Sequence, residues 1–89
     1  MITAVVLITA ERGALPRLGE ELAAIPGVSE VYSVTGEFDF IAMVRAKAHD
    51  DLADIVTGKI AQTNGVAKTH THVAFRAYSK HDLETLFAP

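Results

Sequence analysis

Val28–Val44 reads VSEVYSVTGEFDFIAMV, two apolar runs separated by a short polar break. The runs are rich in β-branched and aromatic residues, and the break carries a glycine and an aspartate, so the stretch predicts a hairpin. The first arm is VSEVYSVT, the chain turns over Gly36–Asp39, and the second arm runs from Phe40 to Lys47. Gly36 permits a positive φ, and Asp39 is placed to bond backbone amides nearby. These two properties suffice for a tight turn. They also suit ligand capture, because a glycine turn exposes backbone N–H groups to a carboxylate while an aspartate offers charge to an ammonium.

Working outward, Ile2–Ala10 is a β-branched run closed by Glu11-Arg12-Gly13, which predicts a strand before the hairpin. Between them Leu15, Leu18, Leu22 and Ile25 recur at helical spacing, with Pro16 in the first turn and Pro26-Gly27 as the stop. After the hairpin, Asp50 and Asp51 favour a helix N-terminus, and Leu52, Ile55, Val56 and Ile60 form one stripe that ends at Asn64-Gly65. VAKTHTHVAFRAY, from Val66 to Tyr78, then alternates as a fourth strand, and Ser79 with Asp82 predicts the cap of a short terminal helix carrying Leu83, Leu86 and Phe87. The order is βαββαβ. Both halves pass from a helix end through Gly-Val into a strand, and two such units fold into a ferredoxin-like α+β domain: a four-stranded antiparallel sheet with two helices on one face.

Strands one and three are apolar on both faces, with Val5, Leu7, Ile41 and Met43 opposite the helix-facing set. A monomer rarely leaves several hundred square ångströms of apolar sheet in water, so a partner is expected to cover that face, most simply a second copy.

The chain has 89 residues, fitting one domain over 1–89, with a formal charge of -3 and no cysteine. The acidic balance lacks the clustered Lys and Arg that neutralise phosphates, so direct DNA binding is not expected. MITAVVLITA is too short to span a bilayer and has no preceding basic residues, so it is read as a strand of a cytoplasmic protein without membrane association.

Catalytic and metal motifs are few. Ser29, Ser33 and Ser79 lack nucleophile-elbow glycines, and no Ser, His and acid grouping has triad character. No phosphate-cradling loop is present. His70 and His72 stand two apart and share a strand face, as metal ligands do, but a site requires more than two ligands, and Glu37 or Asp39 would have to approach in space. An ordinary surface pair is expected, with no metal and no cofactor. GEFDFIAMV has the aromatic character of an RNA-binding third strand, yet the preceding basic residue is missing and strand one offers VVLI in place of stacking aromatics.

With these residues in view, the whole chain resembles the effector-binding (RAM) domain of the leucine-responsive and asparagine-regulator (Lrp/AsnC) family. Gly36-Glu37-Phe38-Asp39 resembles the family's G-x-[YF]-D turn. Pro26-Gly27-Val28 and Asn64-Gly65-Val66 resemble its two helix exits, and Thr69-His70-Thr71-His72-Val73 its last strand. The helix-turn-helix domain of the regulators has no counterpart ahead of Ile2, so a stand-alone member is expected. The resemblance implies dimers formed through the sheets, assembly into octamers or decamers, association with full-length regulators, and small amino-acid effectors bound between dimers. Carried over by position, Gly36, Glu37, Phe38 and Asp39 would line the ligand, with Asp39 near its ammonium. Thr71, His72 and Val73 would form the opposite wall. The enzymatic alternative is a cofactor-free oxygenase on the same dimeric α+β-barrel architecture, which would require a cavity between sheet and helices within each subunit.

Overall fold

The computed structural model describes residues 1–78 and Lys80. Strands β1 (Ile2–Ala10), β2 (Val28–Ser33), β3 (Phe40–Ala46) and β4 (Val66–Val73) form one sheet, with helix α1 (Leu15–Ala23) between β1 and β2 and α2 (His49–Ile55) after β3. The strand order is β2-β3-β1-β4 and every pairing is antiparallel. This is the expected ferredoxin-like α+β arrangement.

The core follows from strand alternation. On one face Ala4, Val6 and Ile8 of β1 and Phe40, Ala42, Val44 and Ala46 of β3 are buried. Leu18 and Leu22 from α1 and Leu52 from α2 close over them. Removing a side chain such as Ile8 or Leu22 from water is worth about 1.5–3 kcal/mol, so this layer dominates the stability. On the opposite face Val5, Leu7, Ile41 and Met43 are only half-buried in the single chain, and no helix among the described residues covers them.

Two elements differ from their sequence reading. The second helical stripe is α-helical only to Ile55 and continues as a π-helical turn over Val56–Ile60, with Ala61 N–H donating to the Val56 carbonyl at 2.9 Å. Thr57 donates its hydroxyl to the Ala53 carbonyl at 2.6 Å at the junction. Because Leu52, Val56 and Ile60 remain buried across it, an apolar stripe does not distinguish the two helix types. The fourth strand ends at Val73 although alternation continues to Tyr78; Ala74 N–H donating to the Thr3 carbonyl at 2.9 Å is the last backbone hydrogen bond to β1 among the described residues. The terminal helix expected after Ser79 lies outside the described residues.

Candidate functional site

The β2–β3 turn is built from backbone outward. Val34 N–H donates to the Asp39 carbonyl at 3.0 Å, closing the hairpin, and Gly36 sits at φ +105 with open space around it. A residue bearing Cβ is strained there. Asp39 N–H donates to the Ile8 carbonyl at 2.9 Å, and its side-chain Oδ2 accepts from Ala10 N–H at 2.7 Å. Asp39 therefore anchors the turn to the end of β1 in the single chain. Its carboxylate retains further acceptor capacity, since two oxygens carry about four lone-pair sites.

Beside the turn lies an open depression of about 670 Å³ lined by Ser33, Val34, Thr35, Glu37, Phe38 and Ile41. Its wall mixes two hydroxyls, one carboxylate and three apolar side chains. Phe38 is half-buried and meets His70 of β4 edge-on, ring centroids 5.4 Å apart and planes at 69°. Sequence spacing does not bring these two together. The β1–β4 register does so, by setting His70 opposite Leu7.

The remaining predicted site residues divide by strand alternation. His72 pairs with Val5 and points to the open face, whereas Thr71 and Val73 pair with Val6 and Ala4 on the helix-facing side. All three are exposed. They lie further along β4 from the turn than His70, so within one subunit the turn and Thr71–Val73 do not form one pocket. His70 and His72 share the open face, and among the described residues no group of three or more His, Cys, Asp or Glu is placed to hold a metal ion.

The open face has a regular layout. Across the four strands one row reads Glu30, Met43, Val5, His72 and the next reads Tyr32, Ile41, Leu7, His70. Four apolar side chains thus form the centre. An acid and a phenol line the β2 rim, and two imidazoles line the β4 rim. The Tyr32 hydroxyl donates to Glu30 Oε2. That hydrogen bond, with smaller contributions from desolvation and the carboxylate charge, holds the Tyr32 phenol above its ordinary range. At the end of the face near Thr3, a second hollow of about 320 Å³ lies between the sheet and Ala74–Ala77. No helix among the described residues is long and apolar enough to cross a membrane.

Comparison with known proteins agrees with this architecture. A Thermus thermophilus protein of known crystal structure is 49% identical, superposes with a TM-score of 0.83, and is matched over 90% of this chain and 100% of its own. A feast or famine regulatory protein of M. tuberculosis, solved in complex with L-methionine, is 28% identical with a TM-score of 0.75, over 90% of this chain and 54% of that one. Among curated relatives, an uncharacterised HTH-type transcriptional regulator of Pyrococcus horikoshii is 41% identical over 58 residues, 65% of this chain and 39% of the regulator. The chain therefore spans well under two thirds of that relative's length. The family model described as the Lrp/AsnC ligand binding domain matches residues 3–83, and the chain belongs to that family.

Proposed function

We propose that this chain is a non-enzymatic sensing domain of the cytoplasm that binds a small amino acid at the Gly36–Asp39 turn. The site is completed where two sheet-paired dimers meet in a ring of eight or ten copies. The observation that carries this reading is the turn itself: Gly36 at positive φ beside a depression formed by Glu37, Phe38 and Ile41, with the Asp39 carboxylate at the base of the turn, outside the lining of the depression and bonded to the Ala10 amide. Exposed amides of the turn suit the ligand carboxylate and Asp39 suits the ammonium, so both charged groups of a free amino acid are matched. The L-methionine bound by the M. tuberculosis relative supports the ligand class.

Thr71, His72 and Val73 contribute in this account from a neighbouring subunit, since their own turn lies out of reach. Amino-acid occupancy then changes the assembly, or the chain's association with full-length regulators, without contact between this domain and DNA. The regulator names borne by its relatives support a non-enzymatic role. So does the packing: the layer between helices and sheet, where an oxygenase pocket would lie, is filled by Val6, Ile8, Leu18, Leu22 and Ile60 without measurable exposure. Isothermal calorimetry with each of the twenty amino acids tests the reading.

A further inference from the structure

The hollow beside Ala74–Ala77, at the end of the sheet where β1 begins, has a wall chemistry unlike that of the turn. Two arginines line it, Arg45 from β3 and Arg76 from the segment that follows β4, together with Thr3, and no acidic residue does. The acid in the adjoining row of the face is Glu30, and it accepts from the Tyr32 hydroxyl. Among the described residues the ion pair formed is Arg17–Glu21, and neither Arg45 nor Arg76 takes part in one.

Arginine keeps its charge throughout the physiological pH range, so two of them on one small hollow repel each other and gain from an anion placed between them. Arg45 is already oriented, its Nη1 donating to Thr3 Oγ1 at 3.1 Å. That contact uses one of the five guanidinium donors and leaves the Thr3 O–H to donate in turn. The guanidinium fork matches the paired oxygens of a carboxylate or a phosphate. Elsewhere the wall is apolar, with Val5, Met43, Ala74 and Ala77 contributing and Phe75 fully exposed beside them. The volume of about 320 Å³ equals that of roughly ten water molecules. A bare inorganic ion would leave most of that space wet.

We propose that this hollow is a second ligand site, for a small organic oxyanion with an apolar body: a carboxylate or phosphate monoester whose head lies between Arg45 and Arg76 and whose body lies against Val5 and Met43. It differs from the turn in place and in charge. The turn is fastened at Ile8 and Ala10, and the strand from Thr3 to Ile8 separates the two sites by roughly 17 Å. The turn offers Asp39 to an ammonium, whereas a zwitterionic amino acid in the hollow would bring its ammonium to two cations. A second copy on the open face would roof the hollow and exclude water from it, which strengthens the same charge pairing.

Calorimetric titration of the full chain with hexanoate, hexyl phosphate, hexanamide and inorganic phosphate tests the proposal. Hexanoate or hexyl phosphate should bind, and the tighter of the two identifies the head group. Hexanamide, which lacks the charge, and inorganic phosphate, which lacks the body, should each bind at least about fivefold more weakly. Arg45→Gln and Arg76→Gln should each weaken the organic anion about fivefold, the upper range for exposed ion pairs, and the double variant should abolish binding. Both side chains are exposed, so the variants should melt with wild type. In two-dimensional amide spectra, the shifts on adding ligand should centre on Thr3, Val5, Ala74 and Ala77 and spare Gly36–Asp39. Absence of binding by both organic anions at millimolar concentration, equal binding of hexanamide, or retention of binding by the double variant overturns the site. Shifts confined to the turn overturn its location, and inorganic phosphate binding as tightly as hexyl phosphate overturns the role of the apolar wall.

Discussion

The Asp39 carboxylate accepts a 2.7 Å hydrogen bond from the Ala10 amide, so the β2–β3 turn is fastened to the strand on the other side of β3 by its own proposed ligand group. One side chain thereby has two tasks, and two substitutions separate them. Asparagine preserves an acceptor for the Ala10 amide, whereas alanine leaves that partly buried donor unpaired at a cost of about 1–3 kcal/mol. Thermal melts without ligand should therefore show Asp39→Ala well below wild type and Asp39→Asn close to it. Equal destabilisation by both would mean that the charge, and not the hydrogen bond, holds the turn.

Gly36 and Gly65 both lie at φ +105, and they differ in surroundings. A Cβ at Gly36 meets nothing within 4 Å, while one at Gly65 falls 2.8 Å from the Ala14 Cβ. Gly36→Ala should cost about 1–2 kcal/mol, the left-handed penalty alone. Gly65→Ala should cost more, because α1 must also shift, and urea unfolding of the two variants measures the difference.

On the open sheet face Val5 and Met43 are neighbours across β1 and β3. A lysine at either place is tolerated by a single chain, whose face is open to water, and is not tolerated in a sheet-paired dimer, where an unpaired buried charge costs several kcal/mol. Met43→Lys should sediment as a folded monomer or unfold at concentrations where wild type is dimeric. An unchanged dimer would show that this face is not the interface.

Much of this fold was legible because its signals are local. The β-branched apolar runs of β1 and β3, the leucine spacing of α1 and the glycine exits of both helices each report on a few adjacent residues. Two boundaries were not: β4 reads on to Tyr78 because alternation persists past Val73, where the strand ends, and a π-helical turn conceals itself within an apolar stripe. At the candidate site, turn chemistry singled out Gly36–Asp39, whereas the Asp39–Ala10 bond and the Phe38–His70 contact depend on how three strands are registered, including a β1–β4 irregularity at Thr9/Ala10. No spacing within the turn encodes that register.

Tyr32 offers a spectroscopic check on the β2 rim. Its phenol is held above the ordinary range chiefly by the hydrogen bond to Glu30. Because the folded value is the raised one, the associated stability is present below the unfolded tyrosine value near 10 and is lost as pH rises through the folded value. In a Tyr78→Phe background, leaving Tyr32 as the one remaining tyrosine, the ultraviolet phenolate titration should shift downward on Glu30→Gln. An unmoved midpoint would remove Glu30 as the cause.

The most direct measurement is calorimetric titration of wild type and Asp39→Asn with each of the twenty amino acids, paired with ligand-free melts of both proteins. A carboxylate–ammonium pair in a partly desolvated cleft is worth about 1.5–3 kcal/mol, so the account predicts binding of at least one amino acid by wild type and a roughly ten- to hundredfold loss in Asp39→Asn, at nearly unchanged melting temperature. Absence of binding by wild type at millimolar concentration, or full retention of binding by Asp39→Asn, would contradict the sensing role of the turn.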